Sequence, residues 1–253
     1  MSIPETGSWN TIAREYDALI ARGDFFRTHL LDDAFADLVG GVSSRRILDA
    51  GCGQGYFSAR LSKSGANVTA IDGSDELIAC AKERFPESPS LRFMAGNLKD
   101  PLPYGDGSFD GVVAHMVLMD FDPIDRAFSE FSRVLNPEGF LAFSILHPFF
   151  IAGKTEKSFM EKILYRLPHL SLSRYHTAFA RSWRIPGTSH DTDAYHRPFE
   201  SYARMLRDAS FHIEDVREPV FDARSLSGKS NAMKLLAEIP PFLLVRARRC
   251  AKP

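Results

Sequence analysis

The sequence predicts an α/β protein built on a parallel sheet that helices cover on both faces. Between Arg46 and Leu146, short strands rich in Ile, Val and Ala alternate with stretches of helical periodicity. Such alternation is typical of a parallel sheet, because the crossover helices bury both of its faces. The predicted strands are Arg46–Ala50, Asn67–Ile71, Leu91–Met94, Phe109–Ala114 and Phe140–Leu146.

Helices are predicted in the segments between these strands. Apolar residues at i, i+3 and i+4 mark Tyr56–Ser64, Asp75–Phe85 and Ile124–Leu135. Asp122 is the expected N-cap of the third helix and Pro123 its first helical residue, because proline lacks only an N–H that would be unpaired there. A turn at Asn136–Gly139 then leads into the fifth strand.

The N-terminal segment is helical and precedes every strand. Apolar spacing between Trp9 and Leu38 indicates two helices that Gly23 separates. Because the first strand begins only at Arg46, we expect residues 1–42 to pack outside the sheet as a helical lid over a site.

The alternation stops at His147 and resumes about fifty residues later. Residues 148–198 show little periodicity but hold many aromatic residues, which predicts an ordered insertion in one domain, 1–253, rather than disorder. We expect it to be a cap over a substrate, and its excess of Lys and Arg indicates either an anionic or phenolic substrate or a solvated surface. The later elements are predicted at Ser201–Asp208 (helix), Phe211–Arg217 (strand), Asn231–Leu236 (helix) and Phe242–Arg248 (strand).

Bulk composition restricts the partners. The chain has 253 residues, 44% apolar and 25% charged, with a net charge of −1, so no overall attraction to nucleic acid is expected. Apolar runs are too short to span a membrane, and the N-terminus has no secretory signal. Three widely spaced cysteines suit a reducing compartment. We therefore expect a soluble, cytoplasmic protein.

A loop with glycine at every second position follows the first strand. Gly51, Gly53 and Gly55 let the backbone approach a ligand closely, since side chains would block it. A dinucleotide-binding loop has its third glycine where Tyr56 stands, so a nicotinamide-dependent oxidoreductase is the less favoured interpretation. Asp72, at the end of the second strand, is suited to accept hydrogen bonds from ribose hydroxyls of any nucleoside.

The stretch Asp49 to Gly55, D-A-G-C-G-Q-G, resembles the first motif of class I S-adenosylmethionine-dependent methyltransferases. Further matching motifs follow in the family's order: Ile71–Ser74, Gly96–Leu98, Ser108–Asp110 and Arg133–Gly139. The resemblance implies a Rossmann-like sheet of seven strands with the last one antiparallel. It also implies S-adenosyl-L-methionine as cofactor and S-adenosyl-L-homocysteine as product.

The resemblance also assigns cofactor contacts. It places the backbone of Gly51 and Gly53 against the methionine part, Asp49 near its amino group and Asp72 on the ribose. The adenine neighbours and the closing residues would be Gly73, Ser74, Asn97, Leu98, Tyr16 and Arg14. Asn97 stands where the family often has Asp, and its amide oxygen is still able to accept a hydrogen bond. Other interpretations stay open: Asp49 as a loop cap, Ser74 as a helix N-cap, and Tyr16 as a core residue.

Methyl transfer to a hydroxyl, phenol or carbon also needs a base. His115 follows the fourth strand and His147 the fifth, so both are expected at the carboxyl edge of the sheet; His196 ends the insertion. For each histidine, a structural role is the alternative. Asp120, Asp122 and Asp125 are grouped after the fourth strand, but the helix start explains two of them, and no metal is expected.

The expected function is methyl transfer to an O, N or C nucleophile of a small, aromatic or apolar molecule. A non-methylating relative, either a cyclase or a binding protein, is the alternative that keeps the same fold and cofactor. The sequence leaves both the acceptor and the oligomeric state open.

Overall fold

A mixed sheet forms the centre of the protein in the computed structural model, which describes residues 5–154, 171–172 and 174–250. The strands, in chain order, are β1 Arg46–Ala50, β2 Asn67–Asp72, β3 Leu91–Ala95, β4 Phe109–His115, β5 Leu135–Leu146, β6 Gly153–Lys154, β7 Ser171–Leu172, β8 Phe179–Arg184, β9 Asp191–His196, β10 Phe211–Arg217 and β11 Phe242–Arg249.

Helices lie on both sides of this sheet. They are α1 Glu5–Arg22, α2 Asp32–Val39, α3 Tyr56–Lys63, α4 Asp75–Arg84, α5 Asp125–Val134, α6 Pro148–Ala152, α7 Phe199–Asp208 and α8 Asn231–Lys234. A π-helical stretch, Arg27–Leu31, runs directly into α2, and a 3₁₀ turn, Leu235–Ala237, follows α8.

The sheet has seven strands in the order β10-β11-β5-β4-β1-β2-β3. Strands β1 to β5 pair in parallel, and β11 is antiparallel to both of its neighbours, β5 and β10. The predicted α/β class is confirmed, including the antiparallel last strand that the family resemblance implied.

Successive side chains of β1 pack in two separate hydrophobic cores, one on each face of the sheet. Ile47 and Leu48 are both fully buried, and successive residues of a strand point to opposite faces. Leu48 packs in the core that includes Phe128 of α5 and Tyr202 of α7, whereas Ile47 packs in the one that includes Phe35 of α2. Burial on both faces explains the continuous apolar character of the strand.

The strand order reverses at β1, which lies between β2 and β4. Crossover connections leave to opposite sides at such a point and open a crevice at the carboxyl ends of the strands. The glycine loop after β1, Asp72 at the end of β2 and His115 at the end of β4 meet at this edge. The fold therefore brings three predicted site segments together.

Two predicted boundaries are wrong. Helix α5 begins at Asp125 with Ile124 as its N-cap, so the helix starts after the cis Asp122–Pro123 peptide and neither residue has its predicted role. Strand β5 begins at Leu135 and includes the predicted turn. Leu135 pairs with Phe109 and Phe140 with Gly111, so four residues bulge out between these two pairs.

The N-terminal helices are two, as predicted. Gly23, at φ +88°, ends α1, and the carboxylate of Asp24 accepts the N–H of Arg27 at 2.9 Å at the start of the next helix. Helix α1 lies along α4, where Arg14 pairs with Glu83 and Arg84 with Asp17.

The insertion contains regular structure that the sequence did not predict. Strands β8 and β9 form an antiparallel hairpin with six residue pairs, and α6 follows β5. Its strands lack strict apolar alternation, which hid them from a periodicity argument. Residues 155–170 and 173 lie outside the described residues, and with them two of the aromatic and three of the basic residues that suggested a cap: Phe159, Tyr165, Lys157, Lys162 and Arg166. Within the described chain, no helix has the length and apolar character needed to cross a membrane.

Candidate functional site

A cleft lies at the carboxyl edge of the sheet and encloses about 1040 Å³, part of it open to solvent. Its walls come from the glycine loop, the ends of β2 and β3, the loop after β4 and the N-terminal helices. The lining residues are Trp9, Tyr16, Arg27, Gly51, Cys52, Gly53, Gln54, Tyr56, Asp72, Gly73, Ser74, Leu77, Asn97, Leu98, Lys99, His115, Met116, Val117, Asp120 and Phe121.

The first two glycines of the loop serve different purposes. Both have positive φ, +79° at Gly51 and +55° at Gly53. A Cβ at Gly51 would lie 2.3 Å from a methyl carbon of Val117, so internal packing requires this glycine. A Cβ at Gly53 would meet no protein atom within 4 Å. The bare backbone at Gly53 therefore borders open cleft, where a ligand fits.

Asp72 braces the loop from the end of β2. Its two carboxylate oxygens accept the N–H groups of Gly53 at 2.8 Å and Ser74 at 2.9 Å. Burial raises the pKa of the carboxyl above its usual value, although the two hydrogen bonds act to lower it. Each carboxylate oxygen has a second lone pair, so Asp72 is also able to accept a hydroxyl from the cleft.

Asp49 lies behind the loop and does not line the cleft. The Ser58 hydroxyl donates to its Oδ2 at 2.5 Å, while the buried Oδ1 has no hydrogen-bond partner in the described chain. Burial raises the pKa of this carboxyl to about 7. A buried acceptor without a donor is costly, so Oδ1 is suited to a donor that arrives with a ligand or a water.

The predicted adenine neighbours Gly73, Ser74, Asn97 and Leu98 all line the cleft. Ser74 also caps α4: its hydroxyl accepts the N–H of Leu77 at 3.1 Å and donates to Asn10 of α1 at 2.6 Å. The carbonyl oxygen of the Asn97 side chain accepts the N–H of Lys99 at 3.0 Å. Ser74 therefore both caps α4 and lines the cleft.

Tyr16 lines the cleft from α1, and Arg14 does not. The ring of Tyr16 meets that of Trp9 edge-on at 5.3 Å between centroids, and Arg27 donates to its hydroxyl at 3.2 Å. Arg14 instead points along the surface to Glu83. One helical face thus supplies the aromatic side of the cleft.

Of the three predicted histidines, His115 lines the cleft. Its Nδ1 lies 2.6 Å from the Ser144 hydroxyl and its Nε2 3.3 Å from Asp32. Because a carboxylate only accepts, Nε2–H donates to Asp32; Nδ1 of the neutral ring then has no proton and accepts the hydroxyl of Ser144, whose oxygen also accepts the N–H of Met116. Burial lowers the pKa of His115 to about 4, so the ring is neutral at neutral pH with both nitrogens engaged.

His147 and His196 lie away from the described cleft lining. The Nδ1 of His147 accepts the N–H of Phe149 at 3.2 Å, and its Nε2 donates to Glu218 at 2.8 Å. The Nε2 of His196 donates to the carbonyl of Tyr175 at 2.7 Å. Burial lowers the pKa of both rings. The structure thus gives both histidines contacts that fix the chain after β5 and the end of the insertion.

Sequence reasoning missed a charged cluster in the cleft wall. The guanidinium carbon of Arg27 lies 3.9 Å from the ring centroid of Tyr56, and its Nε lies 3.6 Å from Asp32. The Tyr56 hydroxyl donates to the same carboxylate at 3.0 Å. A π-helical turn places Arg27 here, and no pattern in the sequence predicts that turn.

Asp120 is the second missed group. It lies in the loop that follows β4, five residues after His115 at the end of that strand, so its position could have pointed to the cleft; its neighbours Asp122 and Asp125 suggested a helix start instead. Among the described residues, no group of acidic, His or Cys side chains is arranged to hold a metal ion.

Known proteins resemble this chain in sequence and structure. A family model described as a methyltransferase domain matches residues 48–143. YqeM of Bacillus subtilis, provisionally named a methyltransferase, is 30% identical over 68% of this chain and 75% of its own length. The crystal structure of an S-adenosylmethionine-dependent methyltransferase from Mesorhizobium loti superposes with a TM-score of 0.72, at 25% identity, over 86% of this chain and 96% of that one.

The chain belongs to the S-adenosylmethionine-dependent methyltransferase family.

Other methyltransferases match over shorter stretches. Malonyl-[acyl-carrier protein] O-methyltransferase of Pectobacterium atrosepticum is 36% identical over 41% of this chain and 40% of its own length. Demethylmenaquinone methyltransferase of Beutenbergia cavernae is 34% identical over 53% of this chain and 54% of its own length. The chain thus matches about half or less of these two enzymes.

The cofactor of this methyltransferase is S-adenosylmethionine, and the site fits it in three ways. The loop backbone is open at Gly53, the carboxylate of Asp72 faces the cleft, and Asp49 keeps a buried acceptor without a donor. Gly53 and Asp72 line the cleft itself, whereas Asp49 lies behind the glycine loop.

Proposed function

We propose that this methyltransferase moves the methyl group of S-adenosylmethionine to an O, N or C nucleophile of a small, aromatic or apolar molecule. The observation that carries the proposal is the composition of the cleft wall. Beside the glycine loop it presents the rings of Trp9, Tyr16, Tyr56 and Phe121. Such a wall favours a flat or apolar acceptor over a strongly charged one.

The names of two relatives bear on the acceptor. One is a demethylmenaquinone methyltransferase and the other acts on malonyl-[acyl-carrier protein]. Both match this chain over only part of their length, so the acceptor has to be found by experiment.

We propose the cofactor contacts that the family resemblance implied, and the residues that line the cleft support them. The backbone of Gly51 and Gly53 would lie along the methionine part, with Asp49 receiving its amino group and Asp72 its ribose hydroxyls. Gly73, Ser74, Asn97 and Leu98 would border the adenine, and Tyr16 would close over it. When bound, the cofactor supplies a methyl group on a positively charged sulfur, and the protein's main contribution is to align the acceptor with it.

Among the histidines, we keep only His115 as a candidate base. It lines the cleft, but it would have to exchange one of its two internal hydrogen bonds for the acceptor. For His147 and His196 we propose positioning roles in the chain around the cleft.

We further propose that α1 is the lid predicted from residues 1–42. Trp9 and Tyr16 line the cleft from this helix, and Asn10 links it to Ser74 at the cleft edge. No described residue of 148–198 lines the cleft, so we propose that this segment acts on it indirectly. Its hairpin holds the loop after β4, because Tyr195 donates its N–H to the carbonyl of Met119 at 2.7 Å.

The test is a methyl-transfer screen with labelled S-adenosylmethionine against phenolic, amine and quinone pools. A labelled product in one pool, absent with Gly53→Leu, supports the proposal. Tight binding of S-adenosylhomocysteine without any methylated product would favour the cyclase or binding-protein alternative. Binding of NADH without S-adenosylhomocysteine would contradict both and indicate an oxidoreductase.

A further inference from the structure

We propose that Asp120 is the residue that receives the acceptor: its carboxylate accepts a hydrogen bond from a hydroxyl on a neutral aromatic acceptor and takes the proton of that hydroxyl. The inference rests on the proposed function and adds to it the reacting group and the chemical class of the acceptor.

Asp120 lies in the loop after β4, which borders the glycine loop. Val117 of the same loop packs against Gly51, where an added Cβ would be 2.3 Å away. Val117, Asp120 and Phe121 all line the cleft. A group in this loop is therefore close to the part of the cleft where the methionine end of the cofactor is expected.

The carboxylate of Asp120 has no hydrogen-bond or ion-pair partner among the described residues, unlike the carboxylates of Asp72 and Asp32. Asp72 accepts two backbone N–H groups, and Asp32 accepts Tyr56 and pairs with Arg27. No described residue donates a hydrogen bond or forms an ion pair with the Asp120 side chain. A carboxylate that faces a cleft without a partner is suited to a ligand donor.

The surroundings of Asp120 give it affinity for a proton. Burial is the main cause that raises its pKa well above the usual value, and the negative charge of Asp72 adds to it. The charge of Asp120 in turn helps to raise the pKa of the phenols of Tyr16 and Tyr202, for which burial is the main cause. Once ionised, a carboxylate with a raised pKa accepts a proton more readily than an exposed Asp does.

Arg197 holds the loop that carries Asp120. This arginine is 5% exposed and donates to the carbonyls of Leu118 at 3.2 Å and Phe121 at 2.7 Å, on both sides of Asp120. It also pairs with Asp122. Backbone on each side of Asp120 is thus fixed by a residue 77 positions later in the chain, so Asp120 is held in place before any ligand binds.

The remaining lining favours an aromatic acceptor. The rings of Trp9, Tyr16, Tyr56 and Phe121 offer surfaces to an aromatic body. A neutral phenol-like molecule satisfies the rings and Asp120 at once.

The methyl transfer needs no reactant beyond the acceptor, S-adenosylmethionine and the carboxylate of Asp120. The O–H bond of the acceptor breaks and its proton goes to the carboxylate of Asp120. A lone pair of the acceptor oxygen forms the new O–C bond to the methyl group as the S–C bond breaks, with that electron pair left on the sulfur. The products are the methyl ether, S-adenosylhomocysteine and one proton, which Asp120 passes to water.

The first test measures binding without chemistry. The protein saturated with S-adenosylhomocysteine is titrated with 1-naphthol and with naphthalene, followed by fluorescence. We expect 1-naphthol to bind at least tenfold more tightly, since a hydrogen bond to a charged group discriminates by that much. Asp120→Leu should reduce the preference to less than twofold while the affinity for S-adenosylhomocysteine stays within threefold of wild type. An unchanged preference in Asp120→Leu, or a tenfold loss of S-adenosylhomocysteine affinity, overturns the inference.

The second test uses turnover of the phenolic acceptor that the labelled screen returns. Asp120→Asn keeps the shape and removes the base, so turnover should fall 10²- to 10⁴-fold. His115→Gln is the comparison, and a large loss there with full turnover in Asp120→Asn overturns the inference. If the wild type binds S-adenosylhomocysteine but methylates nothing, the proposed function fails, whereas the naphthol preference still decides whether Asp120 receives a hydroxyl.

Discussion

At the scale of single residues, two glycines of one loop differ in what requires them. A Cβ added at Gly51 would collide with the protein, whereas a Cβ added at Gly53 would meet no protein atom within 4 Å. We expect Gly53→Leu to cost the fold about 1–2 kcal/mol, the cost of a side chain at positive φ, and to lower S-adenosylhomocysteine affinity at least tenfold. Calorimetry and thermal unfolding of the same sample measure both quantities.

The matched control for Gly53→Leu is Gly51→Ala. Its added carbon meets Val117 at 2.3 Å, so the fold itself should lose more stability than with Gly53→Leu. Equal affinity for S-adenosylhomocysteine in Gly53→Leu and wild type would show that the open backbone does not border the cofactor.

The carboxyl of Asp49 predicts a pH dependence of cofactor binding. Its pKa of about 7 means that it is largely protonated below pH 7, because burial disfavours the charge. A cationic amino group binds the ionised form, so S-adenosylhomocysteine affinity should rise with pH between 5.5 and 7, by up to about tenfold per unit, and then level off. Isothermal titration across this range measures it, and Asp49→Asn should flatten the profile. A profile that keeps its slope in Asp49→Asn would assign the dependence to another group.

His115 predicts a pH dependence of stability. Its pKa is about 4 in the folded chain against an ordinary 6.5, so between these values the unfolded chain binds a proton that the folded chain does not. The stability is therefore fully present above pH 6.5 and falls as pH decreases toward 4, by up to about 3 kcal/mol. Urea unfolding at pH 4.5 and 7 should show a smaller difference for His115→Gln than for wild type. An equal difference would mean that the ring is not buried as described.

How far the sequence predicts the site depends on whether backbone or side chains make the contact. The glycine loop and Asp72 are fixed by strand ends and by local backbone conformation, and these have a sequence pattern. Arg27 reaches the cleft only through a π-helical turn. The hydrogen bonds of His115 join three separate elements. Contacts of this kind depend on packing between distant segments, which periodicity does not encode.

At the scale of elements, two ion pairs at the surface join helix α1 to α4, and Asp17 is the partly buried side chain among them. Arg14 pairs with Glu83, and Asp17 pairs with Arg84. Exposed ion pairs contribute at most about 1 kcal/mol each, so the lid we propose is only weakly closed by them. We expect Arg14→Ala with Asp17→Ala to leave the melting temperature nearly unchanged and to speed the release of S-adenosylhomocysteine several-fold.

Stopped-flow displacement of S-adenosylhomocysteine measures that release rate. Arg204→Ala, which removes an exposed pair with Glu200 on α7, is the control for a general loss of surface charge. Release that is equally fast in wild type and the double variant would mean that α1 does not gate the cleft.

The elements that the sequence predicted well are those with one dominant pattern. All five strands from β1 to β5 were expected from their apolar residues, which are buried on both faces in central strands such as β1 and β4, whereas β3 at the sheet edge alternates between buried and exposed residues. The hairpin of β8 and β9 was missed, since exposed and buried residues do not alternate cleanly along β8. The start of α5 was misplaced because Asp122 is followed by proline, a pair that also occurs in turns.

At the scale of the whole molecule, ligand binding and stability are linked. A ligand that binds only the folded chain at one hundred times its dissociation constant stabilises that chain by about 2.7 kcal/mol. For a protein of this size we expect S-adenosylhomocysteine to raise the melting temperature by about 5–11 °C. Differential scanning fluorimetry measures the shift, with NADH at the same concentration as control. A shift with NADH alone would contradict the family's cofactor in this chain.

The contact of Arg197 with the loop after β4 also has a consequence for synthesis on the ribosome. Every described residue that lines the cleft lies between Trp9 and Phe121, in the first half of the chain. The side chain that fixes the backbone around Asp120 is translated 76 residues after Phe121. A nascent chain therefore contains every residue that lines the cleft well before it contains Arg197. The cleft reaches its final shape only when the end of the insertion has left the exit tunnel.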